Sequence, residues 1–124
     1  MISYGKQSID KLDIESVIKV LKSDWLTQGP AVEVFEKAIE IYFGANHACA
    51  VSSGTGALHL AGLALQWEPG DIVITTPITF LATASCIVYS GATPEFVDIH
   101  PISYTIDPNL VEEKVRDNLK KGKR

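Results

Sequence analysis

With 124 residues, 46% of them hydrophobic and 21% charged, the sequence is that of a globular chain and not of a disordered one. Its net charge of −4 argues against nucleic acid as a partner, and no apolar run is long enough to span a bilayer. A single domain of this length is expected to bury about two thirds of its unfolded surface.

The chain opens on Met1-Ile2-Ser3-Tyr4-Gly5-Lys6, which has no apolar signal core. Ile14, Val17, Ile18 and Leu21 then recur at i, i+3, i+4 and i+7, the spacing of one helix face, with Asp10 as N-cap and Asp13 three residues on. The stretch Ser23-Asp24-Trp25-Leu26-Thr27-Gln28-Gly29-Pro30 breaks that period. A tryptophan in a polar loop either anchors the loop or meets a ligand. A second helix carries Phe35, Ala38, Ile39 and Tyr42 on its apolar stripe and stops at Gly44.

His47-Ala48-Cys49-Ala50-Val51 reads as a buried strand, and residues 57–65, apolar nearly all round, read as a buried helix. Glu68-Pro69-Gly70-Asp71 is a turn, residues 72–75 are a short buried strand, and Pro77 ends it. A helix opened by Thr79-Phe80 runs through Tyr89 to Gly91, and residues 94–98 form another strand. Asp107-Pro108 supplies an N-cap and a proline at the first helical position, and Leu110, Val111, Val115 and Leu119 mark the last helix. From the first strand onward the order is β-α-β-α-β-α, which predicts a parallel sheet covered by helices. It stops where a fourth strand is expected, so the pattern reads as part of a domain: residues 1–45 a helical segment, residues 46–124 the first βαβαβα portion.

Cys49 and Cys86 both lie in apolar segments and read as reduced core residues of a cytoplasmic protein. His47, His59 and His100 show no metal-ligand spacing, so no metal site is expected. After Lys37 no lysine or arginine occurs until Lys114. An anion held by the middle of the chain must therefore be met by backbone dipoles and hydroxyls.

Ser52-Ser53-Gly54-Thr55-Gly56 is suited to that task. The loop opens directly into a helix, whose first turn offers unpaired N–H groups with positive partial charge. Two readings stand side by side: a phosphate cradle, or a plain Ser/Thr/Gly helix cap. The loop is neither a Gly-Lys-Ser/Thr phosphate loop nor a GxGxxG dinucleotide turn. The second strand-to-helix turn, Pro77-Ile78-Thr79-Phe80, would lie with the first at the C-terminal ends of parallel strands, where ligands collect. Phe80 is then either a stacking face for a flat ring or a core residue.

Leu26-Thr27-Gln28-Gly29-Pro30 with Val34-Phe35-Glu36, then residues 52–60, then Thr76-Pro77-Ile78-Thr79-Phe80 with residues 81–84, occur in an order and spacing that resemble the N-terminal part of the DegT/DnrJ/EryC1/StrS aminotransferases. The resemblance extends over essentially the whole chain. It implies an α/β fold, the incomplete large domain of a fold-type-I enzyme that uses pyridoxal 5′-phosphate (PLP), cytoplasmic and homodimeric at full length. It implies that Thr55 and Gly56 cradle the cofactor phosphate through their amides and that Phe80 stacks on the ring. Gly56 departs from the commoner alanine or serine. Tyr4, Asp24, Trp25, Leu26, Thr27 and Gly54 would line the substrate site, by similarity to the branch acting in pseudaminic acid biosynthesis. The reaction implied moves an amino group from glutamate to the C4 keto group of a UDP-linked 4-keto-6-deoxy-N-acetylhexosamine. The lysine and aspartate that family members set against the cofactor are expected beyond Arg124, so no catalytic residue is assigned and this chain alone is expected to be inactive. Two other readings are a sugar-nucleotide dehydratase of the same family and a non-catalytic nucleotide-binding module. Against the module, residues 75–77 offer no acid for a ribose.

Overall fold

The computed structural model describes residues 5–123. The elements are α1 (Lys11–Leu21), α2 (Pro30–Phe43), α3 (Gly54–Ala64), β1 (Ile72–Thr75), α4 (Leu81–Tyr89), β2 (Thr93–Phe96) and α5 (Pro108–Lys120). They fall into two compact units, Met1–Ala50 and Val51–Arg124.

In the first unit, α1 begins with a reciprocal cap. Asp10 Oδ1 accepts the N–H groups of Leu12 and Asp13 at 2.7 and 3.1 Å, and the Asp13 carboxylate accepts the Asp10 N–H at 2.9 Å. Helix α2 starts at Pro30 and ends on Gly44, whose φ of +64° is cheap only without a Cβ. Neither helix contains a buried residue.

The strand expected over residues 47–51 is not formed. A strand needs a neighbour to pair with, and the sheet among the described residues has only β1 and β2. The segment's backbone donors go elsewhere: the Glu36 carboxylate of α2 accepts the Ala50 N–H at 2.7 Å. Cys49 is accordingly exposed, a correction to its expected place in a core, whereas Cys86 is buried; both are free thiols.

The second unit is built on a parallel crossover. Strands β1 and β2 pair in parallel, Ile72 opposite Thr93 and Thr75 opposite Phe96, and α4 connects them as the βαβ rule requires. Strand β2 begins and ends one to two residues earlier than expected, because the Asp98 backbone and carboxylate turn instead into the following loop. Ile99 and Ile106 close that loop by an antiparallel bridge. Cys86, Ile87 and Ala92 form the core, with Trp67 and Val73 packed against them.

Three helices of this unit end alike. In α3 the Trp67 N–H reaches Gly62 O and the Gln66 N–H reaches Leu63 O; Ala92 and Gly91 do the same on Ile87 and Val88, and Lys123 and Gly122 on Asn118 and Leu119. This paired closure needs one left-handed residue. Gly91 and Gly122 supply it without strain, while Gln66 adopts φ +59° with a side chain in place.

Helix α3 itself forms as expected, but it is not the buried helix that its composition suggested. Only Gly62 is buried, while Leu58, Leu60 and Leu63 stay 41–49% exposed. The whole chain shows the same excess. Its accessible surface is 10250 Å², against roughly 6,500 Å² for a folded monomer of 13.5 kDa and roughly 7,900 Å² if the two units are taken as separate bodies. About half the unfolded surface is buried, not two thirds. Apolar side chains of α2, α3 and α4 lack a covering layer among the described residues.

Candidate cofactor and substrate site

At the start of α3, Ser53 is the N-cap in extended conformation, and its Oγ accepts the Gly56 N–H at 3.2 Å. The Ser53 carbonyl accepts the Ala57 N–H at 3.0 Å. That leaves the Gly54 and Thr55 amides without an acceptor among the described residues, at the positive end of an 11-residue helix. A Cβ placed on Gly54 would meet no atom within 4 Å, so the turn is open on that side. This donor set fits a phosphate: two free amides, exposed hydroxyls at Ser52 and Ser53, and no carboxylate in the first turn.

The helix is seated by its other end. Gly62 faces α4 so closely that a Cβ there would lie 2.6 Å from Trp67 Cε3 and 2.7 Å from Ser90 Oγ. One turn earlier, His59 meets the Tyr89 ring edge-on at 5.7 Å. These contacts fix α3 on α4, and hence where the Gly54 and Thr55 amides stand relative to the second turn's own helix.

At that second turn Phe80 is the N-cap residue of α4. It is 75% exposed, so among the described residues nothing packs over its ring. Thr76 Oγ1 accepts the Ile78 N–H at 3.3 Å, and Thr79 and Thr83 share a hydroxyl contact of 3.0 Å, so the turn is internally held while the ring stands free. Thr76, Pro77, Phe80, Leu81 and Phe96 line a cleft of about 320 Å³. Phe96, at the end of β2, escaped the reading of the sequence; the strand's register against Thr75 is what brings it beside the turn. Thr55 and Gly56 do not line this cleft.

Asp24, Trp25, Leu26 and Thr27 lie in the first unit, in the loop between α1 and α2, and all four are exposed. Ser23 Oγ lies 2.7 Å from Val20 O and 3.0 Å from Trp25 O, which pins the loop to the end of α1. Trp25 leans over Gly29, where a Cβ would come within 2.7 Å of its own. Its ring borders a groove of about 420 Å³ with Val20, Pro30 and Val34. Tyr4 lies outside the described residues.

No lysine stands at either turn of the second unit. Lys114 and Lys123 lie 3.6 and 2.9 Å from the Glu95 carboxylate, and Lys120 lies 3.7 Å from Asp117. With Asn118 Nδ2 donating to Glu95 at 3.0 Å, Lys114 and Lys123 tie α5 and the turn after it to β2, whereas the Lys120–Asp117 pair lies within α5. Asp98 accepts the Ile99 N–H at 2.7 Å and serves its own loop. Among the described residues no helix is long and apolar enough to cross a membrane.

A parallel βαβ unit whose adjoining helix opens on a glycine- and hydroxyl-rich turn defines an α/β domain. The chain belongs to the DegT/DnrJ/EryC1/StrS aminotransferase family, which it matches over residues 7–121. It is 45% identical over 122 residues to UDP-4-amino-4,6-dideoxy-N-acetyl-beta-L-altrosamine transaminase of Campylobacter jejuni, covering 98% of this chain and 31% of that protein. To the spore coat polysaccharide biosynthesis protein SpsC of Bacillus subtilis it is 44% identical, covering 96% of this chain and 31% of the relative. Its structure matches Spr1654 of Streptococcus pneumoniae in PLP form with a TM-score of 0.82 at 33% identity, over 90% of this chain and 29% of that one. The same protein in PMP form matches equally, so the solved structures this chain resembles include both pyridoxal phosphate and pyridoxamine phosphate forms. The chain thus spans about a third of the length of the relatives it matches.

Proposed function

We propose that this chain contributes the cofactor-phosphate seat and part of the sugar-nucleotide site of a PLP-dependent aminotransferase. The acceptor is the C4 keto group of a UDP-linked 4-keto-6-deoxy-N-acetylhexosamine, and the amino donor is glutamate. The observation that carries the reading is the open pair of amides at the start of α3, on a chain of this family. When bound, pyridoxal phosphate supplies the electron sink through which an amino group passes between donor and acceptor.

The chain's own residues bind and orient. Thr55, with its neighbour Gly54, holds the phosphate end at the positive terminus of α3, while the Gly56 amide stays with the Ser53 cap. Phe80 gives the ring one flat face and keeps water from it, worth about 1 kcal/mol. Asp24, Trp25, Leu26 and Thr27 of the α1–α2 loop bind the sugar nucleotide, with Gly54 and, by resemblance to the family, Tyr4. The chemistry also needs a lysine and an acid toward the cofactor's ring, and the residues near the two turns include neither. Those groups come from outside residues 1–124, and so does the cover for the apolar faces of α2 and α3. Residues 47–51 pair as a strand once a neighbouring strand is present, restoring a division between residues 1–45 and 46–124. The complete enzyme works as a cytoplasmic homodimer.

The test uses pyridoxamine 5′-phosphate, whose amine cannot attach to lysines. Equilibrium dialysis with the chain is expected to show binding that vanishes for pyridoxamine without its phosphate and weakens about fivefold in Phe80→Ala. Equal binding of the two compounds would overturn the phosphate seat. Unchanged affinity in F80A would remove Phe80 from the ring's face. Treatment with PLP and borohydride is expected to label surface lysines in scattered fashion; one stoichiometric adduct at a single lysine would refute the claim that the reactive lysine lies outside this chain.

A further inference from the structure

The two edges of the sheet differ, and the alternation of the strand backbones shows how. Thr93 N–H donates to Asp71 O and Val97 N–H to Thr75 O, both at 2.9 Å, with Ile72 opposite Thr93 in the register. In such a parallel ladder alternate residues turn their N–H and C=O groups toward the partner. Residues 71, 73 and 75 therefore serve β2, and the backbone groups of Ile72 and Ile74 point away from it. Among the described residues nothing pairs with them on that outer side. The same alternation turns Pro94 of β2 outward, where it has no N–H to offer and blunts the far edge. Strand β1 has no such protection: Ile72-Val73-Ile74-Thr75 carries no charge, proline or glycine.

We propose that two copies of this chain pair through the outer edge of β1, antiparallel, about a two-fold axis at Val73. In that register Val73 faces its own counterpart, and Ile72 faces Ile74 of the second copy. Each Ile72–Ile74 pair then exchanges both of its N–H···O bonds, so the edge is fully used and the β2 ladders are untouched. The edge suits itself as a partner, since strands without charge set no like charges opposite each other. The surface for a stable pair is present. The chain exposes 10250 Å², about 2,300 Å² more than the roughly 7,900 Å² expected for two folded units of this mass. A specific interface takes about 800 Å² from each partner, well within that excess. Helix α4, which packs on β1, contributes to it, with Leu81, Val88 and Tyr89 all more than half exposed. The inference concerns the sheet alone and is independent of the cofactor reading.

Sedimentation velocity of the full chain over a range of concentrations reads the pairing, and amide hydrogen exchange on the same samples reads its place. The parent is expected to pass from monomer to dimer as concentration rises and to stop there, because the pairing uses up the edge. The Ile72 and Ile74 amides should exchange more slowly as the dimer forms. Val73 and Thr75, already bonded to β2, should change little. Ile74→Pro removes an outward N–H and leaves every β1–β2 donor in place. It is expected to weaken association at least about tenfold while the circular dichroism spectrum is kept. Val73→Pro is the opposite case, since it strikes the β2 ladder, and should cost the fold. A parent that stays monomeric at every concentration would overturn the inference. So would a dimer undiminished in a folded I74P, or assembly that continues past the dimer. If I74P does not fold, exchange in the parent decides. No concentration dependence at Ile72 and Ile74 would then overturn the pairing, and new protection at residues 47–51 would overturn it by giving the edge to that segment.

Discussion

Gly62 should be the least replaceable residue of α3, and for a reason opposite to helix propensity. In a helix interior, alanine is favoured over glycine by roughly 1 kcal/mol. Against that stands the space: the added Cβ would lie 2.6 and 2.9 Å from two carbons of the Trp67 ring and 2.7 Å from Ser90 Oγ. Neither neighbour is the loose end of a flexible chain. Trp67 packs on the core of Cys86, Ile87 and Ala92, and Ser90 Oγ donates to Cys86 O at 2.9 Å. Overpacking of this kind costs about 1–3 kcal/mol, and disturbing the Ser90 bond adds about 1 kcal/mol. Gly62→Ala is therefore expected to destabilise the second unit by about 1–3 kcal/mol after the propensity gain is deducted. Urea denaturation followed by far-ultraviolet circular dichroism measures it. In a Trp67→Leu, Ser90→Ala background both obstacles are gone, and the same substitution should stabilise by up to about 1 kcal/mol. A stabilising Gly62→Ala in the parent chain would refute the reasoning. So would a cost that is unchanged in the relieved background, because the two effects would then not be coupled through these side chains.

The remaining expectations concern the same unit. Gln66→Gly removes the strain of a left-handed residue at φ +59° and should stabilise by about 1 kcal/mol in the same urea assay; no gain would mean that the Gln66 side chain contributes as much as its backbone costs. The Glu95 carboxylate is lowered from 4.5 to about 2, first by the Asn118 amide and then by Lys123, with Lys114 adding less. A depressed carboxylate contributes stability that is complete above about 4.5 and is lost as pH falls toward 2, so acid should release α5 from β2 across that window. Glu95→Gln should flatten the dependence of unfolding on pH there, and an unaltered profile would show that the Glu95 cluster does not hold α5.

What the sequence determined by itself was local and chemical. The caps at Asp10 and Asp107, the stops at Gly44 and Gly91, and the parallel β1–α4–β2 order could be read from residue type and spacing, because each depends on a few neighbours in the chain. The two turns of interest were legible for the same reason: glycine and hydroxyl residues at the start of a helix, and an aromatic residue after a strand-ending proline. Tertiary structure decided the rest. Periodicity reports which side chains are apolar, not whether anything covers them, so α3 read as buried yet stands largely exposed. A strand exists only when a partner supplies its ladder, and residues 47–51, without one here, give their Ala50 N–H to Glu36 instead. The seat of α3 depends on Gly62 meeting Trp67 and Ser90, residues 5 and 28 positions away that no local pattern connects. The choice of which amides stay open at Ser53 was likewise made by one side-chain rotamer, a three-dimensional fact that composition does not carry.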